Sequence, residues 1–322
     1  MSLPSSFSGA NRGALLAPLE VRLLRNGIPE SQHRVHAVVC DSRGRVLLRA
    51  GDPQQLSFVR SALKPFQAMA LVGSGAADRI GCGDRGLAIA CASHSGSAVH
   101  AREAFRLLWG AELETSQLQC PVPAGATSRL EHNCSGKHAA FLATCRQLHW
   151  PLESYLQIDH PVQQEVLKRI GELLAIPAAE LISAPDDCGA PTLQLQLAQM
   201  ALTFAHLGAG THADLEQLGR AMLAHPELVA GEGRFDTELM RSGHGQVISK
   251  GGAEGIQCLS RVGEGLGVAI KVEDGASRAK HAVALHLLQK LEWLTPMSLE
   301  ELDQRFLRPA PHLRLEVLGE MR

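Results

Sequence analysis

Lysine is scarce in this chain, and so are aromatic side chains. Of 31 basic residues only seven are Lys, aromatic residues make up 4%, and there is a single tyrosine. Arginine cannot give up its proton near neutral pH, whereas a desolvated lysine can, so each Lys in an Arg-rich chain is worth tracing. Charge of one sign is lacking too. The formal net charge is −2, with no long basic or acidic run, which argues against nucleic acid or an anionic membrane as the main partner. No apolar run approaches the roughly 20 residues of a membrane span. Met1 to Pro18 has no basic start followed by an apolar stretch, so no secretory signal is expected and the reading is of a cytoplasmic protein. Eight cysteines in that setting read as reduced thiols or metal ligands rather than disulfides. There is no phosphate-binding Walker loop, no His-Glu-x-x-His and no Gly-x-Ser-x-Gly elbow. Gly81-Cys82-Gly83-Asp84-Arg85-Gly86 matches Gly-x-Gly-x-x-Gly, but the apolar run Leu87–Ala90 reads as a strand where a dinucleotide site needs a helix.

What is present fits an α+β protein. The 322 residues, 45% of them hydrophobic, suit one two-lobed domain over 19–322, with 1–18 expected to be a flexible segment. Residues 34–40 and 45–50 flank Asp41-Ser42-Arg43-Gly44 as a β-hairpin. Helices are expected over 97–109 with Ser97 as cap, and from Pro161 onward with Val162, Val166, Ile170 and Leu173 on one face. Residues 192–206 read as a buried helix, although Leu193-Gln194-Leu195-Gln196-Leu197 alternates as a strand would. Thr211 and Asp214 resemble a capping pair for a helix carrying Leu215, Leu218 and Met222. Strand patterns return at 245–249, 256–261 and 266–273, and a final helix is expected over 277–294. Strands at both ends predict one antiparallel sheet flanked by helices, with a helical lobe between.

Five segments carry chemistry. Ser61-Ala62-Leu63-Lys64 puts a hydroxyl and an amine on one helical turn, where a neutral lysine could take the serine proton. Pro65 disfavours a helix interior at Lys64, so the helix should begin near here with Ser61 at its mouth. Spacing alone is weak, because Ser277-Arg278-Ala279-Lys280 repeats it on what reads as a surface helix with a solvated lysine. Cys91-Ala92-Ser93-His94-Ser95-Gly96-Ser97 is a polar loop following the apolar run, or a turn and helix cap. His132-Asn133-Cys134-Ser135-Gly136-Lys137-His138 precedes an apolar helix, and Asp186-Asp187-Cys188-Gly189-Ala190-Pro191 lies some fifty residues later. Cysteines from the last two segments could hold zinc, with His132 or His138 as the further ligand expected from chemistry alone, or be small buried apolar residues. Ser249-Lys250-Gly251-Gly252 closes a strand with a lysine and close-approach glycines, or is a Gly-rich turn with a solvated charge.

Together, from about Arg25 to Arg278, these segments resemble the Rhizobium etli-type L-asparaginases, also called thermolabile or asparaginase II-like. The landmarks, in order, are Glu30-Ser31 with His33, Arg60-Ser61 with Lys64-Pro65-Phe66-Gln67, Ser93-His94-Ser95-Gly96, the 132–138 segment, Cys188-Gly189-Ala190-Pro191, and Lys250 with Gly252-Ala253-Glu254-Gly255. The resemblance implies a fold like class A β-lactamases and serine glutaminases, and a homodimer. It implies catalytic pairs Ser61 with Lys64 and Ser93 with Lys250, and zinc on Cys134, Lys137 and Cys188. Arg60, Asn133, His138 and Asp186 are the candidate substrate-binding residues. The implied reaction converts L-asparagine and water to L-aspartate and ammonia through a serine acyl-enzyme, with Ser61 attacking. The alternatives are a penicillin-recognising or glutaminase-like serine hydrolase, or a non-catalytic zinc-stabilised binding protein. Two positions depart from the family pattern: Ser97 replaces an acidic residue, and Asp187 replaces a glycine, where a side chain could crowd the metal or add a carboxylate.

Overall fold

Asp41 turns the chain between its first long strands: its carboxylate accepts from the backbone N–H groups of Arg43 and Arg45 and from the Arg45 guanidinium. That turn joins β2 (Ile28–Asp41) to β3 (Val46–Ala50), and β1 (Leu19–Arg25) precedes them. The computed structural model describes residues 16–322, so the segment expected to be flexible falls, but for its last few residues, outside the described residues. After β4 (Leu56–Phe58) a 3₁₀ turn (Arg60–Leu63) runs directly into α1 (Lys64–Gly73). The helical lobe continues with α2 (Ala76–Arg79), α3 (Asp84–Ala90), α4 (Ala98–Gly110), α5 (Ser135–Gln147) and α6 (Pro161–Leu174). Next come β5 (Ile182–Pro185), β6 (Pro191–Gln196), α7 (Leu197–Ala209), α8 (Ala213–Ala224), α9 (Pro226–Val229) and α10 (Phe235–Ser242). The chain returns through β7 (Val247–Gly251), β8 (Ile256–Arg261), β9 (Leu266–Val272), α11 (Ser277–Lys290), α12 (Pro296–Phe306) and β10 (Leu313–Leu318).

The large sheet runs β10-β1-β2-β9-β8-β7, antiparallel throughout, with β3 beside β2. The early and late strands do pair as expected, Val38 of β2 lying opposite Ala269 of β9. Two strands not expected, β1 and β10, pair at its edge, Val21 opposite Val317. Strand alternation splits the apolar residues between two cores. Val35, Ala37 and Val39 of β2 face the layer of α11 and α12. Val38 and Cys40 face α7 and the helical lobe. Covered on both sides, these strands read as nearly continuous apolar runs, and each buried Val or Leu contributes about 1.5–3 kcal/mol. Gly267 lets α7 lie directly on β9: a Cβ there would come within 2.0 Å of the Ala201 carbonyl oxygen. A second, three-stranded sheet, β4-β6-β5, braces the segment that leads to α1.

Several expectations need correction. Residues 191–196 form a strand and the helix starts only at Leu197. The alternation was the governing signal, since Leu193 and Leu195 are buried on one face. Leu87–Ala90 lies in helix α3, so a helix does follow the glycine motif; a helix (α2) rather than a strand precedes it, and the dinucleotide context still fails. Asp214 does not cap α8 with Thr211; its carboxylate binds Arg169 at 2.6 Å. The helix from Ser277 is followed by α12 and β10. Lys280 is no solvated charge but a buried one, donating to the carbonyls of Gly252 and Ile256. All eight cysteines are unpaired, as expected.

Candidate active site

Lys64 opens α1 with its amine buried beneath two loops. Its Nζ donates to the carbonyl oxygens of Ala92 at 2.6 Å and Asn133 at 3.1 Å, and lies 3.0 Å from the Ser93 hydroxyl. The side-chain partner of Lys64 is therefore Ser93 rather than Ser61, the serine on its own turn. Burial is the largest influence on this amine and lowers its pKa; the like charge of Lys137 adds to that, and Cys134 opposes it. Ser61 is half-buried, and among the described residues its hydroxyl makes no side-chain hydrogen bond.

The residue just before Ser61 is held in an unfavourable conformation. Arg60 has φ of 55°, a left-handed geometry that costs a non-glycine residue roughly 1–3 kcal/mol and persists only when surroundings enforce it. Three contacts do so. Its N–H donates to Thr192 Oγ1 at 3.0 Å, its Nε to Asp186 at 2.7 Å and a terminal nitrogen to Asp187 at 2.6 Å. Asp187 is thus drawn to Arg60 and stays 90% exposed, instead of turning into the cysteine pair beside it.

His94, not among the candidates, fixes the loop that carries Ser93. Its Nδ1 accepts from Gly96 N–H at 3.1 Å, so Nε2 carries the proton and donates to Ser135 Oγ at 3.0 Å. Ser135 passes its own hydrogen to the Leu130 carbonyl, and the His94 ring stacks on His100. The Ser-His-Ser-Gly motif pointed at this segment, but only the fold shows the histidine as a brace.

Lys250 enters from the opposite lobe, at the end of β7, and is fully buried. Its Nζ donates to the Gly251 carbonyl at 2.9 Å; no hydrogen bond joins it to Ser93 among the described residues. Burial lowers its pKa to about 7; Asp236 opposes this, while Lys64 and Lys280 add to it. Gly252 lets this strand end close against the Ser61 turn, since a Cβ there would meet the Val59 carbonyl oxygen at 2.8 Å.

Cys134, Lys137 and Cys188 do converge. Lys137 Nζ lies 3.1 Å from Cys188 Sγ, and both cysteines are buried. A hydrogen bond from Cys188, aided by the charges of Lys64 and Lys137 and opposed by burial, holds the Cys134 thiol well below its ordinary range. Burial works against a charged Lys137, but the two neighbouring sulfurs outweigh it and keep that amine above its usual value. No set of three or more His, Cys, Asp or Glu side chains among the described residues is arranged to hold a metal. The two thiols fit zinc in kind, while Lys137, held charged by the sulfurs, would have to give up its proton to join them.

The candidate substrate contacts divide. Asn133 is exposed, with its Oδ1 lying 3.0 Å from Cys134 Sγ. Arg60 and Asp186 are paired to each other at the rim. His138 is enclosed: its Nδ1 meets the Tyr155 hydroxyl at 2.7 Å, its Nε2 has no partner among the described residues, and both rings are fully buried. A groove of about 600 Å³ between α11, α12 and β10 lies away from all these groups and is lined by Leu285, Gln289, Leu299 and Leu315 among others.

The fold thus brings two buried amines from different lobes and two serines together beneath a polar rim. The chain belongs to the L-asparaginase II family, whose family model matches residues 21–322. No curated protein matches it in sequence. Among solved structures it is similar to Mglu, at 13% identity and a TM-score of 0.44 over 81% of this chain and 67% of that one. Mglu in its L-glutamate binding form gives 14% identity and a TM-score of 0.44, over 80% of this chain and 61% of that one. A β-lactamase from Mycobacterium bovis gives 13% identity and a TM-score of 0.38, over 81% and 95%. No helix among the described residues is long and apolar enough to cross a membrane.

Proposed function

We propose that this protein hydrolyses the side-chain amide of L-asparagine to L-aspartate and ammonia through a serine acyl-enzyme. One observation carries the reading: the Lys64 amine sits between two carbonyls and the Ser93 hydroxyl, on the same turn as Ser61. The carbonyls only accept, so a neutral amine spends both its hydrogens on Ala92 and Asn133. Its lone pair is then left facing Ser93, the arrangement of a general base.

Ser61 is the attacking hydroxyl in this scheme. Its oxygen adds to the amide carbon while its proton moves through Ser93 to Lys64. Backbone N–H groups would stabilise the oxyanion. The carbon–nitrogen bond then breaks, and the same proton returns through Ser93 to the departing ammonia. Water, deprotonated by the regenerated base, releases aspartate. Lys250, an amine neutral for about half the time near pH 7, takes part in the proton relay from the opposite wall. Zinc on Cys134, Lys137 and Cys188 would supply a fixed positive charge that keeps its thiol ligands deprotonated. A homodimer and a cytoplasmic setting complete the proposal.

The test is ammonia release from asparagine and from glutamine, with ring opening of a β-lactam followed by its absorbance in parallel. Turnover of asparagine well above that of the other two supports the reading; preference for glutamine or the β-lactam replaces it with the corresponding hydrolase. Inactivity on all three in a folded, zinc-containing protein favours the binding-protein alternative.

A further inference from the structure

Lys280 repeats the Ser-x-x-Lys spacing, and its burial belongs to a polar network under β7 that the scheme above does not use. At its centre is Asp236, in the first turn of α10 and 9% exposed. One carboxylate oxygen accepts from Ser249 Oγ at 2.7 Å and from Gln257 Nε2 at 2.8 Å. The other accepts from the Gly251 backbone N–H at 2.8 Å. Lys280 Nζ closes the network by donating to the carbonyls of Gly252 at 2.8 Å and Ile256 at 3.1 Å. Residues 249, 251 and 252 are thus all tied down, and Lys250 stands among them.

Successive side chains of a strand point to opposite faces, so Ser249 turns toward Asp236 while Lys250 turns away from it. The peptide whose carbonyl receives the Lys250 amine belongs to Gly251, the residue whose N–H Asp236 grips. We propose that Asp236 is the positioning residue for Lys250: it holds the Ser249–Gly251 backbone that aims the lysine, and it supplies the buried counter-charge to that amine. This rests on the reading of Lys250 as a working amine in amide hydrolysis. The other groups set around Lys250 are Lys64 from α1, Lys280 from α11, Cys91 after α3, Cys134 before α5 and Cys258 on β8. Arg234 and His281 face Asp236 and Lys280.

Seven lysines make a direct measurement practical. Protein carrying ¹³C-labelled lysine gives a small set of Cε signals, and Lys250→Arg identifies the one that matters. In Asp236→Asn the signal should titrate about 1–3 pH units lower than in the unmodified protein, because an opposing charge near an amine is worth that much. Asparagine keeps the shape, and the Ser249 hydroxyl and Gln257 amide can turn to meet it. Lys280→Met removes a like charge and should move the same signal to higher pH, which gives a second readout of opposite sign if the first variant does not fold. An unchanged Lys250 titration in a folded Asp236→Asn protein overturns the proposal, whatever its melting temperature. Loss of the upward shift in Lys280→Met does the same. Ammonia release by the unmodified protein is measured separately: a protein inactive on amides but with a shifted Lys250 signal would remove the amidase reading and leave the positioning role standing.

Discussion

Replacing Lys250 with arginine keeps the positive charge and removes the ability to shed a proton, and the structure sets what that should do. Burial brings the Lys250 amine from its ordinary 10.5 to about 7. About one tenth of such an amine is neutral one pH unit below that value, and about nine tenths one unit above. If the neutral amine is what works, kcat in the unmodified protein should rise about tenfold from about pH 6 to about pH 8 and then level off. An unperturbed lysine would instead keep gaining roughly tenfold per unit up to about pH 10. The Lys250→Arg variant should lose about 10²–10⁴ in kcat, the usual weight of general acid–base catalysis, with KM little changed. Initial rates of ammonia release, followed from about pH 5.5 to 9.5 in buffers of constant ionic strength, give both numbers. A flat profile, or an arginine variant turning over at near the unmodified rate, would refute the idea that Lys250 acts through its neutral form.

Ser61→Ala should lower asparagine turnover by about a thousandfold or more, and mass spectrometry after rapid quenching should find no acyl adduct; an adduct on Ser93 in that variant would move the attack to Ser93. Metal analysis of protein purified without added metal should find about one zinc per chain, lost in a Cys134→Ser/Cys188→Ser double variant. Unchanged zinc there would sink the site. Gly267→Ala would drive a methyl group into the backbone of α7, so denaturant unfolding should show a loss of at least about 1–3 kcal/mol. An unaltered midpoint would mean that α7 can move off the sheet at little cost.

The local patterns were enough for the β2–β3 hairpin, for β7, β8 and β9 and for most helices, because apolar periodicity and turn chemistry act over a few residues, but β1 and β10 of the same sheet were not read. The pairing of early with late strands in one sheet was also readable, since apolar strands before and after the helical lobe need partners. Two segments misled for the same reason. Leu87–Ala90 is wholly buried in a helix, and a short run that is apolar on every side carries no period to distinguish helix from strand. Residues 192–206 cross from strand to helix at Leu197, so no single period describes them.

At the site, residue types and motif order pointed to the serines, lysines and cysteines, and the shortage of lysine singled out Lys64, Lys137 and Lys250. All three are buried. The pairing was another matter. Ser61 and Lys64 are neighbours in sequence, yet the lysine reaches Ser93, because a long flexible amine settles where desolvation is best compensated, here on two loop carbonyls and a hydroxyl from distant segments. Asp187 turned to Arg60, His94 became a brace, and Lys280 left the surface for a network with Asp236. A sequence specifies which groups can ionise, donate or bind a metal, because those are properties of single side chains. Which of them face one another, and how far burial moves their protons, is decided by the packing of segments far apart in the chain, and so only in the folded protein.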